Sequence, residues 1–205
     1  MPASDPIDRV WRRARPQLLF VLLWPAVMWA VFIIDMLIPD GLAQLDHLGI
    51  WPRQIMGLPG VAAAPFLHVD IWHLLANTMP LVVLGAVLIT GGRRLFMEVF
   101  VFTAAVSGLG AWLFGQGGRV HEGASGVIYG MLGFILARGW FSRQPVWLAV
   151  SLVVGFFHLG SVIGLLRIDP LVSWSSHFWG LVGGIALAWW RYGQNGRRPT
   201  GQGGL

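Results

Sequence analysis

Six apolar runs, separated by polar or glycine-rich breaks, set the pattern of the chain. They fall at about Leu18–Ile38, Trp72–Ile89, Leu95–Phe114, Ser125–Trp140, Val146–Leu165 and Ser176–Trp190. A run of roughly 20 apolar residues crosses the hydrocarbon core of a bilayer as a helix. There every backbone N–H and C=O must find a partner inside the protein, which favours helices over open strands. The pattern predicts an all-α, polytopic membrane protein with six transmembrane helices. The fourth and sixth runs are short, as helices that begin below the membrane surface would be. The break from Pro39 to Leu67 is long and holds four prolines, so structure or function of its own is expected there.

Composition narrows the class. Hydrophobic residues make up 56% of the 205-residue chain and charged residues only 11%, less than half the share of a soluble domain. Many of the 12 tryptophans lie near run ends, where indole rings anchor at the membrane interface. With no cysteine, disulfides, thiolate zinc sites and a cysteine nucleophile are excluded. A net charge of +5 in a soluble chain would suggest nucleic acid. Here the arginines sit in tails and loops between apolar runs, so no nucleic-acid partner is expected.

The arginines set topology instead. With the N-terminus inside, the inner segments hold Arg9, Arg12, Arg13, Arg15, Arg93, Arg94, Arg138, Arg143, Arg191, Arg197 and Arg198, and the outer loops only Arg53, Arg119 and Arg167. Basic residues are retained on the cytoplasmic side, so both termini are expected there. The first run is too long for a signal-peptide core and no convincing A-x-A cleavage site follows, so it reads as a retained helix. The expected division is a basic cytoplasmic segment over 1–17, a membrane domain over 18–192 and a disordered, glycine-rich tail over 193–205. The lysine-free basic set fits a GC-rich bacterial genome, which makes a bacterial inner membrane the expected location. No internal repeat supports a transporter built from repeated halves.

Polar groups inside membrane spans are costly and mark function by default. In this topology the second, fourth and sixth runs all travel inward from the outer surface. His73 and Asn77 share one face of the second, Ser125 opens the fourth, and His177 lies near the start of the sixth. Taken singly each has an ordinary reading. A serine after Gly-Ala is usually packing, and a histidine or asparagine often only ties helices together. Four such groups at one depth have a chemical logic. Neutral histidine can take the proton of a serine hydroxyl. The oxyanion formed by attack on a peptide carbonyl then needs donors already in place. Asn77, His73 and the Ser125 backbone N–H at a helix start can supply them. Gly126 with Gly130, and Gly180 with Gly184, form G-x-x-x-G pairs just after Ser125 and His177, so the fourth and sixth helices are expected to touch. Tyr129, one turn after Ser125, is placed to pack on the His177 ring. Glu98 is expected to pair with Arg94. His68 and His73 are five apart with no H-E-x-x-H, so no metal and no cofactor are expected.

The segments HVDIWHLLANT (His68–Thr78), GASGVIYG (Gly123–Gly130) and SHFWGLVGG (Ser176–Gly184) together resemble the rhomboid intramembrane serine proteases. The resemblance spans about residues 15 to 192. It implies a six-helix rhomboid-like bundle and an intramembrane endopeptidase that cleaves transmembrane protein substrates near the outer surface, within a lipid bilayer. It implies Ser125 as nucleophile and His177 as base, a dyad with no third acid. His73, Asn77 and the Ser125 N–H would form the oxyanion hole, Tyr129 would stack on the base, and His68 would be structural. Where many members carry a Trp-Arg pair in the first outer loop, this chain has Trp51-Pro52-Arg53. A substrate helix would enter from the side, with the loop from Arg167 to Ser175 and the fifth helix as the gate and Gly160 and Gly164 as hinges. Two alternatives stand beside this reading: a catalytically silent relative that binds membrane proteins, and a small transporter or channel. The oligomeric state is left open.

Overall fold

The computed structural model describes residues 5–38, 45–164 and 173–194. Every regular element among them is helical, apart from an isolated bridge between Ile50 and His121. Helix α1, Pro6–Met36, runs from the basic segment through the first apolar run. At 1.5 Å per residue its 31 residues extend about 46 Å, longer than a hydrocarbon core, so its arginine-bearing first turns can stand clear of the lipid. A folded excursion follows: short 3-10 turns at Leu45–Leu48 and Ile55–Gly57, the single-turn α2 (Gly60–Ala63), and a further turn at Ala64–Phe66. The expectation that this long break has structure of its own is met for its described part, while residues 39–44 lie outside the described residues.

Helix α3, Ile71–Leu88, starts where Asp70 caps it; the carboxylate accepts the His73 backbone N–H at 2.7 Å. It ends in a 3-10 turn and at Gly92, whose φ of +92° a side chain would strain, and α4 (Arg93–Phe114) begins at once. Helix α5, Ser125–Ser142, is the central element, with buried residues on all sides, as a helix apolar all round requires. Proline at its first position opens α6 (Pro145–Phe157), and α7 (Leu159–Gly164) follows. Helix α8, Trp174–Ala188, continues into a π turn at Trp189–Gly193.

The six expected runs therefore appear as α1, α3, α4, α5, the α6–α7 pair and α8. By length and composition three stretches suffice to cross a membrane alone: Val10–Met36, Ile71–Gly91 and Arg93–Phe114. The others are shorter or rich in glycine, and α5 is stable in the middle only because its neighbours cover it.

Two expectations need correction. The fifth run is not one helix: it breaks at His158, whose backbone leaves helical values (φ −104°, ψ 14°) while its Nδ1–H donates to the Val154 carbonyl at 3.0 Å. Glu98 pairs with Arg191 at 2.6 Å, not with Arg94, because the π turn after α8 carries Arg191 across to the N-terminal part of α4. Most of the loop expected to form the gate with the fifth helix, residues 167–172, and the tail from 195 onward lie outside the described residues.

The core joins α1, α3, α4, α5 and α8 through residues such as Val21, Leu74, Leu84, Phe96, Met131 and Phe134. The α5–α8 seam is backbone on backbone. A Cβ on Gly180 would overlap the Gly126 carbonyl oxygen, and one on Gly184 the Gly130 carbonyl oxygen. The two G-x-x-x-G pairs thus meet each other, as their spacing predicts.

Candidate active site

The site is built at one end of three helices. Asn77 is buried, at 4% exposure, and its Nδ2 donates to the His73 carbonyl at 2.9 Å one turn back. That bond orients the amide and leaves its second N–H for another acceptor. His73 stands beside it, with the His68 ring edge-on at a centroid distance of 5.1 Å. His68 precedes α3 and is buried; burial, with His73 adding, lowers its pKa to about 4. A backbone contact at Phe66 and the Asp70 carboxylate oppose that shift without cancelling it.

Gly123 faces this pair. Its φ is +105°, and a Cβ there would lie 2.7 Å from His73 Nε2 and 3.7 Å from Asn77 Nδ2. Only glycine satisfies both the backbone angle and the space. Its N–H donates to the Ala64 carbonyl at 2.8 Å, which ties the turn before α5 to the folded first loop. Ser125 then opens α5, where backbone N–H groups of the first turn have no intrahelical partner.

Across the α5–α8 seam, Ser125 Oγ lies 2.7 Å from His177 Nε2, on residues 52 apart in sequence. The Tyr129 ring stacks on the His177 ring at a centroid distance of 4.4 Å and 23° between planes. Gly126 and Gly180 permit the approach that this hydrogen bond needs. A hydroxyl held against an imidazole nitrogen, beside an amide, a second imidazole and a helix N-terminus, is suited to acyl transfer. No group of three or more potential metal-ligating side chains occurs among the described residues.

Comparison with known proteins adds a second line. The Rhomboid domain profile matches residues 57–194. The chain belongs to the rhomboid family. It is 37% identical over 177 residues to an uncharacterized protein of Mycobacterium tuberculosis, covering 82% of this chain and 72% of that one. It is 25% identical over 193 residues to a putative rhomboid protease of Bacillus subtilis (86% and 88%), and 28% identical over 178 residues to the rhomboid protease GlpG of Yersinia enterocolitica (78% and 58%). Family membership and the apolar helices make it an integral membrane protein with bacterial relatives.

Within this rhomboid bundle, Ser125, His177, His73, Asn77 and Tyr129 line one cavity of about 810 Å³. Its lining is apolar at Ala76, Pro80, Ile128 and Leu132 and polar or charged at His47, Asp70, Arg119, Glu122 and His158. The long break is tied to the end of α4. Arg53, at φ +60°, donates to the Leu113 and Gly115 carbonyls at 3.2 and 2.8 Å, closing the C-terminus of α4.

Sequence reasoning missed His121. It is buried at 5% exposure and lines the same cavity, four residues before Ser125. Ile50 and His121 exchange both backbone hydrogen bonds at 2.9 Å. Its signal is the sequence His121-Glu122-Gly123-Ala124-Ser125, in which a histidine stands four residues before the serine.

Proposed function

We propose that this rhomboid-family chain is an intramembrane serine endopeptidase that cleaves transmembrane segments of membrane proteins near the outer membrane surface. The observation that carries the reading is the 2.7 Å contact between His177 Nε2 and Ser125 Oγ. His177 takes the hydroxyl proton as Ser125 Oγ attacks the scissile carbonyl. The negative charge moves to the carbonyl oxygen, where the free amide N–H of Asn77, the His73 ring and the Ser125 backbone N–H are the assigned donors. The C–N bond breaks as His177 returns the proton to the leaving amine. Water then attacks the acyl-serine, with His177 as base again, and releases the new carboxyl end.

Tyr129 orients the base by stacking, in place of a carboxylate. His68 packs against His73 and is assigned a structural role. A substrate helix must unwind locally, since a stable helix keeps its carbonyls in its own hydrogen bonds. The proposed orientation, from the arginine distribution, puts both termini in the cytoplasm of a bacterial cell and the site near the opposite face.

The test is cleavage of a single-span reporter by purified protein in liposomes. Wild type is expected to cleave, and Ser125→Ala and His177→Ala to lose cleavage. Cleavage that survives in Ser125→Ala overturns the assignment. A folded wild type that neither cleaves nor reacts with a fluorophosphonate points to a silent membrane-protein binder instead.

A further inference from the structure

Two serine–histidine hydrogen bonds, not one, join the segment bearing Ser125 to the helix bearing His177. Four residues before each member of the first pair stands a member of the second, with the residue types exchanged. His121 Nδ1 lies 2.8 Å from Ser173 Oγ, again across 52 residues. The second pair is not a second dyad. His121 Nε2 faces the Gln116 carbonyl oxygen at 3.0 Å. A carbonyl only accepts, so Nε2 carries a proton, and in the neutral ring Nδ1 accepts from the Ser173 hydroxyl. Burial holds the His121 pKa below its ordinary value, and the neighbouring Arg119 and Arg53 act in the same direction, against the Gln116 hydrogen bond that raises it. The ring is therefore neutral near pH 7, with Nδ1 as the acceptor.

Ser173 is the N-cap residue of α8, yet its hydroxyl makes no cap to its own helix. A serine in that place ordinarily accepts an N–H of the first turn. Here the hydroxyl reaches across to His121, while the Ser173 carbonyl accepts the His177 backbone N–H at 3.2 Å. A chain of contacts thus runs from Ile50 in the first loop, through His121 and Ser173, to His177.

We propose that the His121–Ser173 hydrogen bond is a positioning clamp: it holds the first turn of α8 against the loop leading into α5 and so keeps His177 within reach of Ser125. This rests on the reading of Ser125 and His177 as nucleophile and base. Neither clamp residue exchanges a proton with substrate. Both line the cavity, so the alternative role, a direct substrate contact, makes a different kinetic prediction. A clamp acts on kcat through dyad geometry, because a small misplacement of a catalytic group is costly. A substrate contact acts on KM.

The experiment compares Ser173→Ala and Ser173→Thr with wild type, in full-length protein in liposomes. Three quantities are read: kcat and KM on the single-span reporter, the rate at which a fluorophosphonate labels Ser125, and the ¹⁵N shift of His177 Nε2. Ser173→Ala removes the hydroxyl without removing a helix cap, and its folding is checked by thermal unfolding. It is expected to lower kcat and the labelling rate about tenfold each, with KM within about twofold of wild type. Ser173→Thr, which keeps the hydroxyl, is expected to restore both. Wild-type kcat and labelling in Ser173→Ala overturn the clamp, and so does a raised KM with kcat intact. Should wild type neither cleave nor label, the nucleophile assignment has failed and the shift decides the clamp alone. A His177 change in Ser173→Ala that Ser173→Thr reverses sustains it, and no change overturns it.

Discussion

Asn77 has two amide hydrogens and uses one of them inside its own helix, on the His73 carbonyl. The second is the proposed oxyanion donor. Removing one such donor in acyl-transfer enzymes lowers kcat on the order of 10²-fold or more. Asn77→Ala is expected to lower kcat by about that factor with little change in KM, measured on the single-span reporter. Equal loss through KM would make Asn77 a binding residue only. His68 carries a separate prediction about pH. Its pKa is lowered from 6.5 to about 4 in the folded protein, so between these values the unfolded chain binds more protons. The stabilisation is therefore complete above about pH 6.5 and is lost as pH falls toward 4, by roughly 3 kcal/mol in all. His121, shifted in the same direction, adds to the slope. Thermal unfolding between pH 7.5 and 4 should show a steeper loss in wild type than in His68→Phe. Parallel slopes would mean that His68 is not the titrating group.

At the scale of elements, the seam between α5 and α8 sets the geometry of the proposed dyad. Glycine is needed at Gly180 and Gly184 for space, since a Cβ at either meets backbone that cannot rotate away. Gly184→Ala is expected to destabilise the fold by about 1–3 kcal/mol, the usual cost of overpacking. It should also lower the rate of Ser125 labelling, because pushing α8 off α5 lengthens the Ser125–His177 contact. Gly160, in the short α7, is the internal control. Nothing among the described residues lies within 4 Å of a Cβ there, so Gly160→Ala should be neutral or gain a few tenths of a kcal/mol from helix propensity. Unfolding in detergent mixtures measures both, and equal effects at the two positions would contradict the seam as described. The break of the fifth run at His158 belongs to the same scale. Hydropathy could not find it, since Phe156, Phe157 and Leu159 continue the apolar pattern on both sides.

For the whole molecule, the absence of native cysteine makes topology directly measurable. With both termini inside, Gln116→Cys, in the exposed turn after α4, should react with a membrane-impermeant maleimide from outside intact cells. Gln144→Cys, exposed between α5 and α6, should react only after permeabilisation. The reverse pattern would invert the proposed orientation and put the site at the cytoplasmic face. The Glu98–Arg191 pair at the opposite end of the bundle is partly exposed, and pairs of that kind contribute at most about 1 kcal/mol. Its value is geometric, in joining the last turn after α8 to the start of α4.

Hydrophobic run length by itself determined the all-helical class and the approximate order of six segments, because bilayer thickness fixes how long an apolar stretch must be. Spacing within a helix was also legible: His73 and Asn77 share a face, Ser125 and Tyr129 share another, and the glycine pairs mark a seam, since 3.6 residues per turn leaves no other arrangement. What only the tertiary structure decided lies between segments. No local rule says that the arginine meeting Glu98 comes from residue 191 rather than from residue 94, one turn away. The Gly123 turn faces His73 only because the folded first loop holds it through Ala64. The pairing of His121 with Ser173 depends on two helix ends brought together across 52 residues, and distances of that kind are set by packing, not by period.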